Sequence, residues 1–302
     1  MITVCTKKLF QIGLMILIIF GMMGLNPVTE ITAQKVFDLN EEINPITNDN
    51  KNIVLFKEYW AVIIGINNYP GTTVDLPWSI NEVTCFKNTL LDGGNWKEDH
   101  IKLLTDSNAN KSDIFSAIEW LDSNEDFNDV SIIYFAGHGS RNLTNYFISV
   151  YGSKISDEEL NNNLDNLEGR VIVILDSCFS GGFIEKLKDR KRVIITACEK
   201  DEATYQDSNL KSGFLGYFLN LSLRRFTKTA ELTFILAYPL IVGYSKKVSE
   251  EYGEDYTVNP KMYDGAFRFT KIIRNHFRIW FKSISKIFNE IKIDTSKKIW
   301  KM

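Results

Sequence analysis

The chain of 302 residues is 44% hydrophobic and 24% charged, the composition of an ordinary globular protein able to bury one large core with extensions. Its net charge of −3 hides an imbalance: residues 267–302 hold ten Lys/Arg against two Asp/Glu, a surplus of +8, so residues 1–266 carry −11. An acidic body favours cationic substrates over nucleic acid, and four cysteines in a chain this long exclude a disulfide scaffold.

At the N-terminus, Lys7 and Lys8 precede an apolar, uncharged stretch over 9–25, followed by Asn26-Pro27 and the small-residue neighbourhood Ile31-Thr-Ala-Gln34. Residues 1–34 read as a signal peptide, the apolar run being somewhat short for a span of about 20 residues, or as a retained membrane anchor. Either reading makes the body secreted or membrane-anchored and extracytoplasmic. Cys5 falls in this segment; Cys85, within a helical pattern, and Cys198, at the end of a strand pattern, are expected as small buried hydrophobes.

After an Asn-rich, acidic linker over 35–56, strand and helix patterns alternate through a body over 57–266. Strands are expected at 59–66, 101–104, 131–136, 171–176 and 193–197. Helices are expected near 79–91, 111–121, 157–164, 183–188, 213–223 and 231–250, with a surface excursion at 145–151. Such alternation implies an α/β fold, a mostly parallel sheet covered by helices on both faces.

Two stretches carry the chemistry: Ser131-Ile-Ile-Tyr-Phe-Ala-Gly-His138-Gly-Ser and Val171-Ile-Val-Ile-Leu-Asp-Ser-Cys178-Phe-Ser-Gly-Gly. Each is a β-branched apolar run of the kind that forms a buried strand, and each ends in a residue able to react. Open α/β sheets place their sites beyond the carboxyl ends of such strands, so His138 and Cys178 are expected in one crevice. A helix opened by Gly181-Gly182, together with the imidazole, is expected to lower the pKa of the thiol. The main-chain N–H groups of Gly139 and Cys178 are candidates for an oxyanion hole.

These residues resemble the two signatures of the caspase-like cysteine peptidases, closest to the metacaspase and bacterial or archaeal caspase-homologue branch. Ala61-Val-Ile-Ile-Gly-Ile-Asn-Asn-Tyr, Leu76-Pro-Trp-Ser-Ile-Asn-Glu82, Val193-Ile-Ile-Thr-Ala-Cys-Glu-Lys-Asp-Glu202 and Asn259-Pro-Lys-Met-Tyr-Asp-Gly265 are similar to further segments of that branch. The resemblance implies a three-layer α/β/α sandwich and an endopeptidase acting through a His138–Cys178 dyad, with Gly139 and Cys178 at the oxyanion and no cofactor required. Phe179, Ser140 and Ser79 depart from the pattern, standing where metacaspases usually or often have His, Asp and Cys.

Asp176, two residues before the nucleophile, and Glu82, at a position where metacaspases carry a pocket Asp, would line a slot that accepts Arg or Lys before the scissile bond. The partners implied are protein or peptide substrates with basic residues. Metacaspase relatives can require calcium, which directs attention to two acidic clusters, Asp122-Ser-Asn-Glu-Asp126 with Asp129 and Asp157-Glu-Glu159; neither has the spacing of a recognised loop. The basic run Lys186-Leu-Lys-Asp-Arg-Lys-Arg192 reads as a solvated helix end, with self-cleavage there as an alternative. Residues 267–302 read as a basic amphipathic helix, with Ile273, Phe277, Trp280, Ile284, Ile287 and Ile291 on one face, that lies on an anionic membrane surface, packs on the acidic body and covers the site until displaced, or binds a partner. Two other functions keep the fold: a legumain-like peptidase or transamidase specific for Asn, and a catalytically idle binding or regulatory module.

Overall fold

A computed structural model of the protein describes residues 56–71, 73–266, 269–274 and 291–302. The N-terminal stretch read as a signal peptide or anchor, the linker and the middle of the basic tail lie outside the described residues. Among the described residues no helix is long and apolar enough to cross a membrane.

The body opens with strand β1 (Tyr59–Gly65), helix α1 (Ser79–Asp92), β2 (Ile101–Thr105), α2 (Lys111–Asp122) and β3 (Val130–Ala136). Three short strands follow, β4 (Gly139–Arg141), β5 (Tyr146–Val150) and β6 (Ser153–Ser156), then α3 (Asp157–Leu164) and β7 (Arg170–Asp176). A 3₁₀ turn (Ser180–Phe183) leads into α4 (Ile184–Leu187), β8 (Arg192–Thr196), β9 (Tyr205–Asp207), β10 (Ser212–Gly213), α5 (Phe214–Arg225), α6 (Ala230–Tyr252), β11 (Lys261–Asp264) and β12 (Ile299–Lys301).

The main sheet has the order β11-β8-β7-β3-β1-β2, with every pairing parallel except that of β11 with β8. Its central strands are buried on both faces, so they read as continuous runs of Ile and Val rather than as alternation. Alternate residues still divide between two cores. Ala61, Ile63, Ile132, Tyr134, Ile172 and Ile174 pack with α1, α5 and α6, while Val62, Ile64, Ile133, Phe135, Val173 and Leu175 pack with α2, α3 and α4. This is the α/β/α sandwich with a mostly parallel sheet expected from the sequence.

Three expectations change. The excursion at 145–151 is ordered as an antiparallel sheet, β4-β5-β6, which stands beyond the end of β3. Cys85 is exposed, because it lies on the outer face of α1; Cys198 is buried as expected. The tail does not run as a helix to residue 302. Ile272 and Ile273 are buried against the α1 side of the core, residues 291–302 lie against the body, and Ile299–Lys301 form a strand, as suits an Ile-Trp pair read at a period of two. The expected helical stripe between them falls on residues 275–290, outside the described residues.

Asp129, read in the sequence as part of an acidic cluster, instead clamps the entrance to the sheet. Its Oδ1 accepts Glu58 N–H at 2.7 Å, and its Oδ2 accepts Trp60 Nε1–H and Asp126 N–H at 3.1 Å each. The carboxylate therefore fixes the start of β1 against the start of β3. Asp129→Ala leaves three N–H groups without their acceptor; a loss of roughly 2–4 kcal/mol is expected, read as a lower denaturant midpoint at unchanged m-value.

Candidate active site

Strands β3 and β7 pair in parallel register, with Ala136 opposite Asp176. His138 and Cys178 each stand two residues beyond that matched pair. One further main-chain bond, Gly137 N–H to Asp176 O at 3.2 Å, carries the pairing past the sheet. Gly139 then closes directly on the cysteine: a Cβ at this position would lie 2.0 Å from Cys178 O and 3.0 Å from Ser177 Oγ. Only glycine permits that approach.

Two neighbours fix the imidazole. Tyr69, from the turn after β1, accepts His138 N–H at 2.8 Å and lies beside the ring at 4.9 Å between centroids. His138 Nε2 sits 2.7 Å from Val74 O; a carbonyl only accepts, so Nε2 is the donor in this contact and Nδ1 is the nitrogen left for another partner. Around Gly139 the β4–β5 ladder alternates. Ser149 N–H donates to His138 O and Asn142 N–H to Asn145 O, which leaves Gly139 at a position between hydrogen-bonded pairs, its N–H turned away from β5.

The thiol sits otherwise than expected. Gly181-Gly182 open a 3₁₀ turn and a four-residue helix, too little to supply a dipole at Cys178. The side chain is 1% exposed, and burial pushes its pKa up to about 11. Sγ receives Thr204 N–H at 3.3 Å and faces Thr204 O at 3.6 Å. Phe179, next in the chain, takes a left-handed conformation (φ 60°) that is costly for a residue with a Cβ. Its N–H donates to Glu202 O at 2.8 Å, and its ring lies under the Arg141 guanidinium at 5.2 Å.

Glu82 and Asp176 come together, and both are buried. Glu82 accepts Tyr134 O–H at 2.7 Å, Ser212 Oγ–H at 3.0 Å and Gly213 N–H at 2.5 Å. Asp176 Oδ2 accepts Gly216 N–H at 3.0 Å, while Oδ1 is buried without a donor. The pair thus lies under the N-terminus of α5, whose first N–H groups and dipole favour negative charge there. Burial, and then the neighbouring Glu82 charge, raise the pKa of Asp176 well above the ordinary carboxyl value; burial also raises that of Glu82. The slot imagined between them is closed in this state, with Gly213 and Gly216 packed on the two carboxyl groups.

Two members of the acidic clusters serve the main chain. Glu125 accepts Glu168 and Gly169 N–H, and Glu159 completes a capping box with Ser156 and pairs with Lys111. Among the described residues no cluster of three or more His, Cys, Asp or Glu has a metal-binding arrangement. In the basic run, Arg192 is buried and pairs with Asp165 at 2.8 Å. Sequence reasoning missed Tyr69, Val74 and Thr204. Tyr69 sits in a turn that any Asn-Pro-Gly-rich loop could have made, and Val74 and Thr204 act through backbone atoms that leave no side-chain signature.

A family model described as the caspase domain matches residues 58–238. Metacaspase-4 of Arabidopsis thaliana is 26% identical over 223 residues, covering 68% of this chain and 51% of that protein. Metacaspase-1B of Aspergillus fumigatus is 31% identical over 143 residues, covering 40% of this chain and 35% of that protein. The chain therefore spans about half of the former and less of the latter. A protein of Geobacter sulfurreducens with a known crystal structure shares the fold at a TM-score of 0.51 and 14% identity, over 71% of this chain and 97% of its own.

Gly139→Ala forces a methyl group into the Cys178 carbonyl, and a loss of roughly 1–3 kcal/mol by chemical denaturation is expected. Asp176 tests the buried pair. Its folded pKa is raised, so its contribution to stability is present in full below the unfolded value, about pH 4, and is lost as pH rises through the folded value. Asp176→Asn should lose less stability than the unaltered chain between pH 4 and pH 8, measured by denaturant titration at each pH.

Proposed function

The chain belongs to the caspase-domain family, and on that premise we propose that it is a cysteine endopeptidase in which Cys178 attacks and His138 moves the proton. The observation that carries the reading is the matched level of the two strand ends, closed by Gly139 against the Cys178 carbonyl. With Nε2 held on Val74 O, the ring's free Nδ1 takes the thiol proton. The thiolate adds to the scissile carbonyl, and the N–H groups of Gly139 and Cys178 hold the oxyanion, an interaction typically worth a few kcal/mol. The imidazolium then returns its proton to the leaving amine, giving an acyl-enzyme, and the neutral ring activates the water that hydrolyses it.

The proposed substrates carry Arg or Lys immediately before the scissile bond. Asp176 Oδ1, buried without a donor, and Glu82 beside it form the acidic end that such a side chain would reach once the site opens. Cutting after Asp would need basic residues in that position, and the carboxyl groups disfavour it.

Purified protein assayed on fluorogenic peptides that differ only at the residue before the bond should cleave after Arg and Lys, and Cys178→Ala should abolish cleavage. Asp176→Asn should lower kcat/KM on those peptides by at least about tenfold, the scale of one charge-assisted contact. Preferred cleavage after Asp or Asn would refute the specificity; turnover retained by Cys178→Ala would refute the mechanism.

A further inference from the structure

We propose that the strand Ile299–Lys301 is a built-in occupant of the peptide-binding edge, holding the site closed until it is exchanged for substrate; this rests on reading Cys178 as the nucleophile. β12 pairs antiparallel with β9, with Ile299 opposite Asp207, Trp300 opposite Gln206 and Lys301 opposite Tyr205. Ser208 N–H donates to Lys298 O at 3.2 Å and Met302 N–H donates to Thr204 O at 3.0 Å. By the alternation of an antiparallel ladder, Trp300 and Gln206 between them are a hydrogen-bonding pair.

The strand ends on the residue that holds the sulfur. Thr204 O receives Met302 N–H and also faces Cys178 Sγ, while Thr204 N–H donates to that same sulfur. Met302 is 2% exposed and belongs to the apolar cluster that contains Cys178. An extended segment that adds to a sheet edge by main-chain bonds is a general way of holding a peptide, and it is sequence-tolerant because the backbone supplies the bonds. β12 has the geometry of such a peptide, beside the group that would cut one.

The segment leading into the strand is held by contacts that are cheap to give up. Tyr252 O–H donates to Asp294 O and Lys297 O at 3.2 and 2.9 Å, Lys247 Nζ to Ile291 O at 3.2 Å, and Asp294 N–H to Asn209 Oδ1 at 3.1 Å. Most of these lie at the surface, where the net worth of a hydrogen bond is small. Met302 and Trp300 supply the apolar contact with the body. Burial raises the pKa of the thiol, while from this segment the Lys301 cation and the Met302 main chain act in the opposite direction.

In the full chain, Trp300→Pro removes one inter-strand hydrogen bond together with the apolar contact of the indole. Alkylation of Cys178 by iodoacetamide, read by mass on the Cys178 peptide so that exposed Cys85 is not counted, should accelerate at least about tenfold as local opening becomes easier. A synthetic peptide of residues 294–302 should slow it again. An unaltered Cys178 rate in a variant that keeps the circular dichroism and melting temperature of the parent overturns the proposal. Should that variant not fold, amide exchange on the unaltered chain decides: slow exchange at Trp300 and Met302 that quickens when Cys178 is alkylated supports the strand, and fast exchange at both amides overturns it. Peptide hydrolysis is scored separately. Faster alkylation without hydrolysis keeps the strand and sinks the peptidase reading, whereas equal hydrolysis by parent and folded variant sinks the strand and keeps the peptidase.

Discussion

The geometry of the site depends on the in-register pairing of β3 with β7. A slip of one residue would turn every side chain of one strand to the other face, exchanging the two cores and carrying His138 away from the level of Cys178. Two apolar cores of different composition make such a slip expensive, because each accepts only its own set of alternate residues. The site thus inherits its precision from packing rather than from contacts between the reacting groups. Gly139, seated on the Cys178 carbonyl, passes that precision beyond the last rung of the sheet.

The same two strands also carry the polar layer. Tyr134 on β3 donates to Glu82, and Asp176 is the last residue of β7. The carboxyl pair is therefore tied to the strands that present the imidazole and the thiol, Asp176 as the end of β7 and Glu82 from α1 through the Tyr134 hydroxyl. Its hydrogen bonds with Ser212, Gly213 and Gly216 tie the start of α5 to that layer. A change in the charge of the pair is felt at the helix, and a shift of the helix alters the access to the pair, since in a low-dielectric interior neither can change alone without leaving a polar group unmet.

The fold was largely legible in the sequence because its central strands are continuous apolar runs separated by amphipathic helices, a pattern that buried parallel sheets impose. The placing of His138 and Cys178 at neighbouring strand ends was legible because each follows such a run directly. The state of the thiol was not: the helix expected at 183–188 is present at Ile184–Leu187, but it is short and follows a left-handed Phe179 and a 3₁₀ segment, and burial raises the pKa that a helix start was expected to lower. Exposure of Cys85 was missed because a cysteine says little about which face of a helix it occupies. The tail was misread at its end because its Ile and Trp residues fit a helical period up to Ile291, while the final Ile-Trp-Lys obeys the partner strand, which lies nearly a hundred residues earlier in the chain.

Gln206 has one further consequence. It is fully enclosed, with its side-chain amide on Ser79 Oγ and Trp78 N–H, while its main chain faces Trp300. A bare β9 would present unmet amide and carbonyl groups to whatever strand came near, and a second copy of this chain offers the same Ile-Trp-Lys sequence. Crowded molecules that opened at this pairing could therefore trade these strands, each lending its own to its neighbour, so that a reciprocally linked dimer is the failure product to be expected of an edge covered in this way.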